Sequence, residues 1–177
     1  MKTLKIVFFL LPVVLTWSCA SQSVIPPEWV FEKNGIWLRL KADSQLNMYQ
    51  GSPHTLYLCV YQLRDPNAFN DLVRDEEGLA KLLECSRFDS SVANAHNFTI
   101  HPGEKLTEPL DRAEGAKYVG LVAGYYSFEK ENMTRLFEIP VVSKTTGWIR
   151  RTKKTKPGLL NINLYFGAEE MKESEVQ

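Results

Sequence analysis

Few residues of this chain are equipped for chemistry, and the first is Cys19. It follows Leu15-Thr16-Trp17-Ser18, at the close of an apolar run from Ile6 to Leu15 that Lys2 and Lys5 precede. A cationic start, about ten apolar residues and a small residue before a cysteine form the pattern of an export signal whose new N-terminus is acylated. The run is about half of the roughly 20 apolar residues that a bilayer-spanning helix needs. The reading is a signal peptide over 1–18 and lipidation at Cys19, where three acyl chains at ~0.8 kcal/mol per buried methylene make a durable anchor. The competing reading is an ordinary cleaved signal with an incidental cysteine, because Leu15 stands one place early and Trp17 is bulky. Ala20 replaces the aspartate that would retain a lipoprotein at the inner membrane, which points to the outer membrane and its periplasmic face.

Two further cysteines remain, Cys59 and Cys85. An oxidising compartment permits a disulfide between them. Two buried free thiols are the alternative, and the Cα–Cα separation that decides is not written in the sequence. His54, His96 and His101 are scattered and no CxxC occurs, so no metal site is expected. No Ser/His/Asp set, nucleophile elbow or phosphate loop stands out, so neither an enzyme nor a cofactor is expected. Without Lys2 and Lys5 the chain carries 19 basic residues against 21 acidic ones. A slightly negative chain lacks the basic surface that nucleic acid requires.

The elements that must position these residues read mostly as strands. Ile36 to Ala42 alternates, with Ile36, Leu38, Leu40 and Ala42 on one face and Trp37, Arg39 and Lys41 on the other. Gly51-Ser52-Pro53 breaks the chain before a strand over Thr55–Leu63 that is apolar on both faces, as a central strand is. From Asp65 to Glu84 the period becomes helical, with Asp75, Glu76 and Glu77 at a helix start that favours negative charge. Strands follow over 90–100, 105–110, 118–126, 134–142 and 160–166. The fold class is therefore all-β, a β-sandwich of seven to eight strands with a small helical insertion. The expected organisation is a lipidated tether over 19–33, a β-sandwich domain over 34–167 and a charged, unstructured tail over 168–177. An extended tether of that length would hold the domain some 30 Å or more off the membrane.

The ordered set carries a resemblance. It comprises the cysteine behind its signal, Lys41-Ala42-Asp43 with Leu46-Asn47, Val60-Tyr61-Gln62-Leu63, Phe69, Pro102-Gly103, the run Tyr118–Tyr125 and a late Trp148. It resembles the TssJ (SciN/VasD) lipoproteins of the bacterial type VI secretion system over about residues 19–166. The resemblance implies a transthyretin-like β-sandwich at the periplasmic face of the outer membrane. It implies binding to the periplasmic C-terminal domain of TssM, within a TssM–TssL membrane complex, and no catalysis. In such proteins the loop between the first two strands contributes to that contact; here it is Asn47, Met48, Tyr49, Gln50, Gly51, Ser52 and Pro53. Met48 and Tyr49 suit an interface, while packing on the sandwich rim is the other reading of Tyr49.

Three features stay open. The run Arg150-Arg151-Thr152-Lys153-Lys154-Thr155-Lys156 reads as a solvated hairpin loop ending at Pro157-Gly158, or as a contact for anionic headgroups or an acidic partner. Tyr61 and Gln62 read as a binding pair, or as central-strand residues that satisfy buried hydrogen bonds. Trp37 either covers a patch under the helix or faces a partner. The alternative function is a periplasmic β-sandwich lipoprotein that binds a small ligand or carbohydrate.

Overall fold

The computed structural model describes residues 24–146 and 152–173. Cys19, Trp148, Arg150 and Arg151 lie outside the described residues. Two four-stranded sheets face each other. One has the order β11 (Met171–Glu173), β10 (Leu160–Phe166), β2 (Glu32–Ala42), β5 (Lys105–Arg112); the other has β4 (Val92–Ile100), β3 (Leu56–Leu63), β6 (Tyr118–Ala123), β7 (Thr134–Glu138). The pair accounts for the expected sandwich. A third, three-stranded sheet stands apart: β1 (Val24–Ile25), β9 (Thr152–Pro157) and β8 (Val141–Thr146).

Period-two alternation builds the main core. Ile36, Leu38 and Leu40 of β2 and Ile162, Leu164 and Phe166 of β10 meet Leu58 and Val60 of β3 and Val119 and Leu121 of β6. The other face of β3 explains its apolar run on both sides. Cys59, Tyr61 and Leu63 point away from the sandwich into a second cluster with Phe69, Leu79 and Leu82. Those partners come from α1 (Asn67–Leu72) and α2 (Glu76–Leu82), which roof that sheet. Asp75 caps α2 by accepting the Gly78 N–H at 2.8 Å, and Glu76 and Glu77 follow in its first turn. Gly120 makes room for the roof: a Cβ there would lie 2.7 Å from the Phe69 ring. Cys59 and Cys85 are disulfide-bonded, with Cα atoms 5.2 Å apart, and join sheet to roof.

Tyr61 and Gln62 are both buried and both hydrogen-bonded. The Tyr61 hydroxyl donates to the Leu82 carbonyl. Gln62 Nε2 donates to the Asp111 carbonyl and its Oε1 accepts from the Ala113 N–H. Burial, reinforced by the charge of Glu84, pushes the Tyr61 phenol up to about 12. Because the folded value lies above the unfolded one near 10, this contribution is fully present below pH ~10 and is lost as pH rises through ~12. Urea titrations should show stability falling between those values by on the order of 2 kcal/mol. Tyr61→Phe should flatten that slope, and an unchanged slope would refute the assignment. Burial also raises Tyr125, whose hydroxyl donates to the Glu170 carbonyl, so some slope survives the substitution.

Four expectations change. The single strand expected over 134–142 is broken after Glu138, and the chain leaves for a different sheet past Pro140, which has no N–H to extend the ladder. The charged segment after Gly167 is not an unstructured tail through 173: β11 pairs with β10 and buries Met171. The basic run is not all loop, since residues 152–157 form β9 between β8 and β1. The tether is not a free spacer up to residue 33. β1 pairs in parallel with β9, and the Trp29 and Val30 carbonyls accept bonds from the Gly115 N–H and the Arg112 guanidinium. Trp37 is half-buried with the Arg39 guanidinium over its ring, on the sheet opposite the one that α1 and α2 roof.

Candidate partner-binding surface

The strand registers send one set of connections to the same end of the sandwich. Ala42 pairs with Phe166, Leu56 with Ile100, Leu58 with Ala123 and Val122 with Thr134. The segments 43–55, 101–104, 124–133 and 167–170 therefore leave the sheets together. The opposite end receives the chain at Glu32, where β2 begins. Eleven residues of strand separate the two ends, about 35 Å at ~3.3 Å per residue.

Asn47 ties the loops to one another. It is 2% exposed and has φ +49°, a left-handed conformation that Asn tolerates. Its Nδ2 donates to the Thr55 carbonyl at 2.9 Å and its Oδ1 accepts from the Tyr126 N–H at 2.9 Å. The Met48 N–H donates to the Ala168 carbonyl at 2.8 Å, which fixes the third segment. At the loop's base the Tyr165 hydroxyl donates to Asp43, which also accepts the Gln45 N–H. These bonds, that of Tyr165 foremost, hold the Asp43 carboxyl below its ordinary range and push the Tyr165 phenol up. Asn47 is thus buried beneath the loops and holds segments 43–55 and 124–133 together.

The next four residues form a miniature hairpin. Tyr49 and Ser52 exchange both backbone hydrogen bonds at 3.0 Å, and Gln50 and Gly51 between them have φ +49° and +76°. Two consecutive positive φ values define the tight turn whose twist suits a hairpin. The turn lifts Tyr49 to 46% exposure, while Met48 is half-buried and Gly51, Ser52 and Pro53 are open to solvent.

Tyr49 does not stand alone. Its ring stacks on Tyr126 with centroids 4.5 Å apart and planes 18° from parallel. His54 packs edge-on against Tyr126 at 5.0 Å and against Tyr49 at 6.1 Å. Phe128 adds an exposed ring two residues on, and Tyr126 itself is 54% exposed. Of the seven residues read from sequence, the structure brings Tyr49 to this surface through its turn, with Met48 at its edge and Asn47 beneath. Tyr126, Phe128 and His54 are additions. The strand expected over 118–126 places Tyr126 at its end, but β6 stops at Ala123 and Tyr126 lies in the loop beyond. The signal was available in the bare sequence as Tyr125-Tyr126 after Gly124, where a glycine interrupts the apolar run.

Aromatic side chains on a rigid base, with few charges among them, suit a protein contact. Among the described residues no group of three His, Cys, Asp or Glu is placed to hold a metal ion, and no helix is long and apolar enough to cross a membrane.

A family model described as "Type VI secretion lipoprotein, VasD, EvfM, TssJ, VC_A0113" matches residues 35–154. No curated protein matches the chain. Among solved structures, the lipoprotein TssJ1 of Pseudomonas aeruginosa is similar at 17% identity and TM-score 0.54, over 86% of this chain and 100% of that one. Lip of Serratia marcescens, a membrane-bound component of the type VI secretion system, is similar at 21% identity and TM-score 0.56, over 80% and 98%. A chain of the structure described as "T6SS protein TssM C-terminal domain (869-1107) from EAEC" is similar at 14% identity and TM-score 0.58, over 80% and 98%. At these identities the likeness shows the fold.

Proposed function

This chain belongs to the type VI secretion lipoprotein family, and from that membership we propose a two-ended anchor for the secretion membrane complex. Acylated Cys19 holds the periplasmic face of the outer membrane, and the loops at the far end of the sandwich bind the periplasmic C-terminal domain of TssM, and through it the TssM–TssL complex. The protein has no catalytic role. The observation that carries the reading is the polarity of the molecule. The chain enters at one end through β1 and β2, and the Tyr49–Tyr126 stack stands at the other, with His54 packed against it. One of the structures sharing this fold is described by the TssM C-terminal domain, which favours TssM as the partner.

A carbohydrate-binding role is less well supported, because the family model that matches the chain is one of type VI secretion lipoproteins. The test is co-purification of the full-length chain, extracted from membranes, with the periplasmic C-terminal region of TssM. Retention of that region is expected; its loss in the wash would end the TssM reading. In the same cells Cys19→Ser should move the protein to the soluble fraction, and continued membrane retention would contradict lipid anchoring.

A further inference from the structure

The three-stranded sheet has no part in the partner surface. β9 hydrogen-bonds to β8 on one side and to β1 on the other, with Val24 paired to Lys153 and Ile25 to Lys154. Val24 is five residues beyond Cys19, so the chain between them spans at most about 17 Å. The next strand lies about 4.8 Å from β1. A strand carrying Lys153, Lys154 and Lys156 is therefore held beside the anchor. The sequence from Glu138 to Glu169 contains no acidic residue between those two ends.

One face of this arm gathers its charge. Lys154 lies directly across from Lys144, and Lys156 directly across from Val142. Residues 154 and 156 share a side of β9, so Lys144, Lys154, Lys156 and Val142 form one face and Lys153 points to the other. All four side chains of that face are exposed. Like charges opposite each other in a sheet destabilise it unless a counter-charge sits against them. No acidic side chain forms an ion pair with these lysines among the described residues. The face overlooks an open groove of about 600 Å³ whose other wall carries Glu28, Glu32 and Lys33. The two glutamates lower the local positive charge without pairing with it. Val30 and Leu159 line the same groove and are exposed, as is Val142.

Lysines around exposed aliphatic side chains, next to a lipid anchor, are the chemistry of a membrane-surface contact. We propose that the β8–β9 arm is a second membrane contact. Lys144, Lys154 and Lys156 meet the phosphates of an anionic phospholipid leaflet, and Val30, Val142 and Leu159 rest at the level of its headgroups. The inference rests on the acyl-anchor reading for proximity alone. Its consequence is orientation: a single lipidated residue leaves the domain free to swivel, whereas a second contact turns the far-end loops away from the membrane.

The test uses the mature chain with Cys19→Ser, exported behind a conventional cleaved signal, so that no acyl chain contributes. It is titrated with phosphatidylethanolamine vesicles containing a quarter phosphatidylglycerol, and with phosphatidylcholine vesicles. Binding to the anionic vesicles is expected, with loss in 0.5 M salt and little binding to the neutral ones. Lys144→Gln/Lys154→Gln/Lys156→Gln should weaken it at least tenfold, and Lys153→Gln on the opposite face less than twofold. Circular dichroism and retained TssM binding would show that the variant is folded. Equal binding to both vesicle types, no binding at all, or full binding by the triple variant would overturn the proposal. So would loss of TssM binding by the triple variant with unchanged vesicle binding, which would make the arm a protein contact. Anchoring itself is judged separately, by fractionation of Cys19→Ser cells.

Discussion

Replacing Tyr49 and Tyr126 together by alanine is expected to weaken binding of the TssM periplasmic domain at least 100-fold. The two rings are stacked and exposed on a base that hydrogen bonds have already fixed. Ordering them on binding therefore costs little, and truncation of such an aromatic anchor commonly costs about 2 kcal/mol or more. Because they touch, their effects should not add. Each single variant should lose much of what the double variant loses, and a double-mutant cycle should give a coupling of about 1 kcal/mol. At ~1.4 kcal/mol per tenfold, a combined loss of about 3 kcal/mol corresponds to the stated factor. Folding should hardly change, since both side chains are about half exposed. Leu136→Ala, an exposed apolar residue on the edge strand β7, should leave affinity within twofold. Titration calorimetry on the wild type, the two single variants, the double variant and Leu136→Ala decides. A double variant that binds like the wild type removes this surface from the interface.

The second large effect concerns stability. Cys59→Ala with Cys85→Ala should lower the unfolding free energy by about 3 kcal/mol, the value expected for a bond that closes a loop of this length. The bond spans 26 residues and encloses α1 and α2. The apolar cluster beneath them is small: Phe69, Leu79 and Leu82 against Cys59, Tyr61 and Leu63. Without the bond the roof rests on that cluster and on the Tyr61–Leu82 hydrogen bond. The loss should therefore be local first, with amide exchange accelerating over residues 65–88 before it does in β2 or β10. Urea midpoints with and without reductant measure the effect. Identical midpoints would show that the bond contributes nothing.

The sandwich is legible in the chain because its inner faces alternate over long strands. Ile36-Trp37-Leu38-Arg39-Leu40 admits one burial pattern, and the two-sided apolarity of Leu56–Leu63 signals a layer on each side. Asp75 announces its helix for the same local reason, a side chain capping its own backbone. What escapes sequence reasoning is non-local. The pairing of β1 with β9 joins residues about 130 positions apart and leaves no periodicity in a two-residue strand. β11 is short and charged, and only Met171 among its residues is buried. The partner loop was legible as a place, since Gly51-Ser52-Pro53 breaks the strand pattern. The division of labour within it was not. Asn47 is buried because the carbonyl of Thr55 and the N–H of Tyr126 both need a partner there, and the Tyr49 stack needs a ring from a segment 77 residues away. The cysteine pair stayed undecided for a related reason: a separation of 5.2 Å is a property of the fold.

In the proposed function, anchor and partner engage opposite ends of one sandwich. Hydrogen exchange of the full-length lipoprotein, with and without the TssM periplasmic domain, tests it most directly. Protection is expected over residues 45–54, 124–129 and 167–170, and no change over 141–146 and 152–157. Protection confined to the β8–β9 arm, or a complex that forms with no protection around Tyr49 and Tyr126, would contradict it.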